Sequence, residues 1–250
     1  MKFYKYCASG NDFVLFYSDK KGNFKELAIK LCNRYSGIGA DGLIVILPHK
    51  KYDFEWQFYN RDGSEPAMCG NGSRAATHFA CHILKMKPNL SFLTKAGVIK
   101  AYIQEDNVQT QLTKAKNTQQ SFEFKGKKWQ ICDTGVPHLV YFCENLSEFD
   151  LKTCQLLREK YNANVNYAKI EHKKLLRVRT FERGVENETL ACGTGMAACF
   201  YLGVLEGKLE KNIKVLPKSE EELNLKLDEE GNIFFQGKVR YCFEAQYNFS

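Results

Sequence analysis

Long apolar runs are missing from this sequence. No uncharged stretch approaches the ~18–20 residues that a membrane-spanning helix needs, and the opening Met1-Lys2-Phe3-Tyr4-Lys5-Tyr6 lacks the extended apolar segment of a secretory signal. No CxxC pair occurs either, which removes the spacing on which zinc ribbons and thioredoxin-like redox sites rest. Charge is not one-sided: 36 Lys+Arg stand against 29 Asp+Glu, a net charge of +7. Its short clusters, at residues 125–128 and at His172-Lys173-Lys174, are better explained by a solvated surface than by a nucleic-acid groove. These absences point to a soluble protein expected in the cytoplasm, with neither membrane nor nucleic acid among its partners.

What is present is ordinary globular composition, 44% hydrophobic and 26% charged over 250 residues, enough for one large domain or two of about half that size. Cysteine is the exception. Ten are spread along the chain, at positions 7, 32, 69, 81, 132, 143, 154, 192, 199 and 242. Without an export signal they do not read as a disulfide framework, and most are expected to be small buried side chains. Trp56, Trp129 and the many Phe and Tyr are expected in the core rather than on a base-stacking surface.

The order of two motifs reveals an internal repeat. Cys69-Gly70-Asn71-Gly72-Ser73-Arg74-Ala75-Ala76 matches Cys192-Gly193-Thr194-Gly195-Met196-Ala197-Ala198-Cys199, 123 residues later. Ser9-Gly10-Asn11-Asp12-Phe13-Val14 likewise matches Thr134-Gly135-Val136-Pro137-His138-Leu139, 125 residues later, with Cys7 opposite Cys132. Between the landmarks, residues 24–35 and 151–161 each show apolar positions at helical spacing. Two unrelated motifs in one order at nearly one shift argue for a duplication.

The pattern predicts an α+β fold: two pseudo-symmetric lobes, each a mostly antiparallel sheet wrapped round a central helix, with the active site in the cleft between them. The central helices are expected over 70–84 and 193–205, and the boundary in the polar stretch 114–120. The lobes are expected at 1–116, carrying Cys69, and 117–238, carrying Cys192; 239–250 forms a final strand returning to the first lobe.

A cysteine placed just before a glycine-started helix meets exposed N–H groups and the positive end of the helix dipole, which stabilise a thiolate. Glycine lets a ligand approach the backbone, and the same N–H groups hold a carboxylate. Two such turns supply two proton-transferring thiols. One thiolate and one thiol on opposite sides of a carbon remove a proton from one face and return another on the opposite face, which is two-base epimerisation.

The sequence resembles the diaminopimelate epimerases, amino-acid epimerases of the lysine and peptidoglycan pathway that use no cofactor. The resemblance rests on Cys7-Ala8-Ser9-Gly10-Asn11-Asp12-Phe13, Gly37-Ile38-Gly39-Ala40-Asp41-Gly42, Tyr59-Asn60-Arg61-Asp62-Gly63-Ser64, Met68-Cys69-Gly70-Asn71-Gly72-Ser73-Arg74, Phe181-Glu182-Arg183-Gly184 and Glu188-Thr189-Leu190-Ala191-Cys192-Gly193-Thr194-Gly195. It implies that Cys69 and Cys192 are the acid/base pair. It also implies that Gly70, Asn71, Gly193 and Thr194 bind the reacting carboxylate. Asn11, Asn60, Asn164 and Arg183 would hold the distal amino-acid group, Glu182 an ammonium, and His138 would line the pocket. No cofactor and no metal is expected, the partner is a small-molecule substrate, and a homodimer fits the β-rich surface.

The chain departs from the family pattern at Gly42, commonly Gln, and at Val136, commonly Asn. It also carries one residue more between the Glu-Arg-Gly and Glu-Thr elements, within Val185-Glu186-Asn187. The alternative is a related two-cysteine racemase, epimerase or isomerase acting on another amino acid such as a proline derivative; Glu182-Arg183 with Asn60 and Asn164 favours a second amino-acid head instead. From other classes, Cys69, His78, Cys81 and His82 make a metal cluster only if one helix face opens to a site. A disulfide between Cys69 and Cys192 would be inactivation rather than purpose. Asp12, Asp41 and Asp62 are expected to fix turns.

Overall fold

The computed structural model describes residues 1–118 and 120–247. Gln119, inside the expected boundary stretch, and the last three positions of the expected final segment lie outside the described residues. The chain divides into one unit of Met1–Thr110 with Gly237–Ser250 and another of Gln111–Gln236. None of the described helices is long and apolar enough to cross a membrane.

The first unit opens with β1 (Lys2–Ala8), β2 (Asn11–Tyr17), helix α1 (Lys25–Cys32), β3 (Gly42–Leu47) and β4 (Phe54–Asn60). It continues through helix α2 (Gly70–His82), β5 (Asn89–Thr94), β6 (Gly97–Gln104) and β7 (Asn107–Gln111). β1 pairs antiparallel with β2, β2 parallel with β3, β3 antiparallel with β4, β4 parallel with β5, and β5, β6 and β7 antiparallel in turn.

The second unit comprises β8 (Ser121–Phe124), β9 (Lys127–Asp133), β10 (Pro137–Phe142), α3 (Leu151–Tyr161), β11 (Asn164–His172), β12 (Leu175–Glu182) and β13 (Asn187–Thr189). α4 (Gly193–Leu205), β14 (Asn212–Leu216), β15 (Leu223–Leu227) and β16 (Ile233–Lys238) follow. Its pairings repeat the alternation. β9/β10 is antiparallel, β10/β11 parallel, β11/β12 antiparallel, β12/β14 parallel, and β14/β15 and β15/β16 antiparallel. Helices enter at equivalent points of both series, so the repeat seen in two motifs extends to the connectivity. The last strand, β17 (Arg240–Gln246), pairs antiparallel with β1 and completes the first unit.

Period-two burial explains the layers of the first unit. Phe13, Leu15, Ile44 and Ile46 pack with Ala75, Ala76, Phe79 and Ala80 of α2, whereas Val14, Phe16, Leu43, Val45 and Leu47 pack with Ala28 and Leu31 of α1. β3 is therefore covered on both faces, which is why Gly42-Leu43-Ile44-Val45-Ile46-Leu47 is apolar throughout. α2 is buried on every side from Gly70 to Ala80, including Arg74 and His78. In the second unit Trp129, Leu139, Val165, Tyr167 and Phe181 pack with Cys154 and Leu157 of α3.

Local details differ from expectation where polar side chains intervene. α1 ends at Cys32 rather than near Tyr35, because the Asn33 side chain accepts from the N–H groups of Tyr35 and Ser36 and turns the chain out of the helix. Lys125 and Gly126, both at positive φ, close a two-residue hairpin between β8 and β9. Of the cysteines outside the two repeated turns, Cys32, Cys132, Cys143, Cys154 and Cys199 are buried, Cys7 and Cys81 half-buried and Cys242 exposed. Burial pushes the thiols of Cys32, Cys132 and Cys154 up to about 12, leaving them inert as nucleophiles near neutral pH.

Candidate active site

Cys69 is the N-cap of α2 and Cys192 the N-cap of α4, in nearly the same extended conformation, with φ/ψ of −143°/115° and −124°/106°. Each sulfur thus stands at the positive end of a 13-residue helix. The first helical N–H groups, at Gly70 and Asn71 and at Gly193 and Thr194, have no acceptor within the helix. Cys69 Sγ accepts from Gly72 N at 3.3 Å, and Cys192 Sγ lies 3.6 Å from Thr194 Oγ1.

In the first unit, polar side chains bind the Cys69 turn to the β1–β2 hairpin. Ser9 and Gly10 occupy that hairpin at φ of 49° and 82°, a two-residue turn open mainly to glycine and small polar residues. The buried Arg74 guanidinium donates to Ser9 Oγ at 2.6 Å and to Asn71 Oδ1 at 2.8 Å. Asn71 Nδ2 donates to Asn11 Oδ1 at 2.7 Å, and Asn11 Nδ2 to Asp41 Oδ2 at 3.2 Å. Beyond Asp41, Arg34 binds Asp12 with both terminal nitrogens, at 2.9 and 2.8 Å, and reaches Asp41 at 2.9 Å. Lys5 adds a hydrogen bond to Asp12 at 2.7 Å. Burial disfavours the Asp12 anion, but the hydrogen bonds from Arg34 and Lys5 outweigh it and hold the carboxyl down at about 2. Asn60 ends β4 opposite Gly42 and donates to Ser64 Oγ at 3.0 Å, while Asp62 Oδ1 accepts from Ser64 N at 2.8 Å.

In the second unit, Thr134 Oγ1 donates to Thr194 O at 2.8 Å, so the repeated Ser/Thr-Gly turn again braces the Cys-Gly-x-Gly helix start. His138 on β10 is fully buried, with Nδ1 3.1 Å from Asn166 Nδ2, which also donates to Leu139 O at 3.0 Å. Asn166 Oδ1 accepts from Thr180 Oγ1 at 2.9 Å. Nδ1 is therefore the acceptor and the ring proton sits on Nε2, which has no hydrogen-bond partner among the described residues. Burial, with a smaller push from Arg183, drives the imidazole down to about 3, so it stays neutral. Asn164 Oδ1 accepts from Arg183 N at 2.8 Å, and the Arg183 side chain donates to Asn162 O at 2.9 Å; Glu182 is the last residue of β12.

The structure thus gathers Asn11, Cys69, Gly70 and Asn71 around the α2 start, with Asn60 at the end of β4. Cys192, Gly193 and Thr194 form the α4 start, with His138 on neighbouring β10 and Asn164, Glu182 and Arg183 at the ends of β11 and β12.

The family model for diaminopimelate epimerase matches residues 3–118 and 131–242. The chain belongs to the diaminopimelate epimerase family. A curated diaminopimelate epimerase of Campylobacter jejuni serotype O:23/36 is 64% identical over 250 residues, covering all of both chains. One of Campylobacter lari is 60% identical over the same length. A solved probable proline racemase from Agrobacterium radiobacter K84 aligns over all of this chain and 93% of its own, with a TM-score of 0.76 at 14% identity, a likeness of fold. Membership of this family makes the chain an isomerase.

Two departures from the family pattern have local explanations. A Cβ at Gly42 would stand 2.6 Å from the Phe58 ring and 2.8 Å from Tyr59 O, so Phe58 fills the space that a longer side chain would take. Around the extra residue, Glu186 accepts from Gly184 N at 2.9 Å and pairs with Arg158 of α3 at 2.7 Å, closing a tight turn between β12 and β13. Thr134, Asn166 and Thr180 were not foreseen as site residues. The one available signal was Asn166 itself, an amide inside an otherwise buried strand.

Proposed function

We propose that this chain interconverts L,L- and meso-diaminopimelate, with Cys69 and Cys192 as the two proton-transferring groups. One thiolate takes the α-proton and becomes a thiol; the electron pair left on carbon is delocalised into the α-carboxylate; the other thiol protonates the opposite face and becomes a thiolate. The thiols end with their roles exchanged, ready for the reverse reaction, and no electron or atom is gained. The observation that carries this reading is the matched placement of Cys69 and Cys192 as N-caps of the two central helices, in a chain 64% identical to a curated diaminopimelate epimerase.

The N–H groups of Gly70, Asn71, Gly193 and Thr194 suit the carboxylate on which charge develops. Asn11, Asn60, Asn164 and Arg183 hold the distal amino-acid group, Glu182 meets an ammonium, and the neutral His138 offers its Nε2–H at the pocket wall. No cofactor enters the scheme. Two thiols that must stay reduced suit the cytoplasm, and the exposed Tyr241 and Phe243 on one face of β17 support a homodimer. Comparing turnover of L,L-diaminopimelate, proline and hydroxyproline by the reduced protein tests the substrate. Faster turnover of either imino acid overturns it.

A further inference from the structure

At the end of α2 remote from Cys69, two histidines and a carboxylate come together. His78 and His82 lie one turn apart with their rings stacked, centroids 4.0 Å apart and planes at 14°. Asp106, in the turn between β6 and β7, places Oδ1 3.2 Å from His78 Nε2. His82 Nε2 stands 3.4 Å from Glu105 O in the same turn. One ligand atom from each of His78, His82 and Asp106 lies within 4.8 Å of the others. Cys81 is not part of the group, since its sulfur is turned to Lys87 O at 3.3 Å, and Cys69 is about 14 Å away along the helix axis at 1.5 Å per residue. The metal cluster considered from sequence is therefore replaced by a different one, with Asp106 in place of the two thiols.

The chemistry suits a borderline divalent ion. Two imidazoles at i and i+4 with a carboxylate are a common zinc donor set, and bonds of about 2.1 Å in a tetrahedron put ligand atoms roughly 3.4 Å apart. The His78–Asp106 spacing already matches. His78 is locked in the core, its ring edge-on to Tyr6 at 5.4 Å, whereas His82 and Asp106 are exposed and close the remaining gap by side-chain rotation. The carboxylate and the carbonyl end of α2 are both negative there, and among the described residues Asp106 forms no ion pair with lysine or arginine. We infer that His78, His82 and Asp106 form a site for a divalent transition-metal ion such as Zn²⁺, with a position open to solvent. Such an ion ties the end of α2 to the β6–β7 turn and takes no part in the proton transfers at Cys69.

The test titrates the reduced protein with ZnCl₂ by calorimetry, comparing wild type with His82→Ala and Asp106→Asn, and follows melting temperature alongside. Wild type is expected to bind one Zn²⁺ more than His82→Ala, Asp106→Asn to bind that ion at least tenfold more weakly, and Zn²⁺ to raise the melting temperature of wild type more than that of either variant. Zinc held at the thiols alone gives equal stoichiometry in all three proteins. That result overturns the site, as does an anomalous zinc peak in crystals lying away from His78 Nε2. Metal-free His82→Ala should keep wild-type epimerisation; loss of activity with an intact circular-dichroism spectrum would contradict the separation of the two sites.

Discussion

Thr134 donates its hydroxyl hydrogen to the carbonyl oxygen of Thr194 at 2.8 Å. This single bond joins the turn after β9 to the first turn of the helix that Cys192 caps. Its counterpart in the first unit runs through a guanidinium, from Ser9 by way of Arg74 to Asn71. In both units a Ser/Thr-Gly turn thus fixes a Cys-Gly-x-Gly helix start. Thr134→Val keeps the shape and removes the donor. Stability should fall by about 1 kcal/mol and kcat more than KM, while Thr134→Ser restores both. Urea unfolding and steady-state kinetics of the three proteins check this.

Arg74 is fully buried, so replacing it strands its partners. Arg74→Met leaves Ser9 and Asn71 short of a donor and should cost on the order of 3 kcal/mol. Arg74→Lys keeps the charge and one donor nitrogen but loses the second, which reaches Lys238 O at 3.4 Å, and should recover only part of the loss in denaturant midpoint.

Gly195 has no room for a side chain. An added Cβ would lie 2.4 Å from Asn166 Oδ1 and 3.2 Å from Thr180 Oγ1, and Asn166 is held in place by His138, Leu139 and Thr180. Gly195→Ala should therefore destabilise by about 1–3 kcal/mol, as overpacking does, and reduce kcat by displacing the α4 start. Unchanged stability and rate would show that the network yields freely.

His138 links stability to pH. Its folded value of about 3 lies below the ordinary 6.5. The unfolded chain therefore takes up a proton as pH falls past 6.5, while the folded chain does not until about 3. Its contribution is complete above pH 6.5 and is lost progressively down to pH 3, at up to about 1.4 kcal/mol per pH unit. Unfolding free energies at pH 7.5, 5.5 and 4.5 should show a steeper fall in wild type than in His138→Gln.

The two matched helix starts were legible in sequence because Cys-Gly-x-Gly lies within four consecutive residues, and the 123-residue spacing marked both copies. The mostly antiparallel sheets and their central helices were legible too, whereas the parallel pairs β2/β3, β4/β5, β10/β11 and β12/β14 were not. Other positions were hidden because they act across long separations. Arg34, Asp12 and Asp41 meet only when β2 and β3 pair in parallel, and Asn166 reaches His138 across the β10–β11 ladder. The filling of space at Gly42 by Phe58 was equally out of reach, because it depends on a neighbouring ring's rotamer rather than on a motif.

The fate of the α-proton in D₂O tests the two-thiol account most directly. With L,L-diaminopimelate and reduced wild-type protein at early conversion, the meso product should carry solvent deuterium at the inverted α-carbon while unreacted substrate stays undeuterated, because one group removes the proton and another supplies its replacement. Cys69→Ala and Cys192→Ala should each lose epimerisation by at least a thousandfold. Product that retains the original proton, or a Cys→Ala variant that turns over at the wild-type rate, would contradict it.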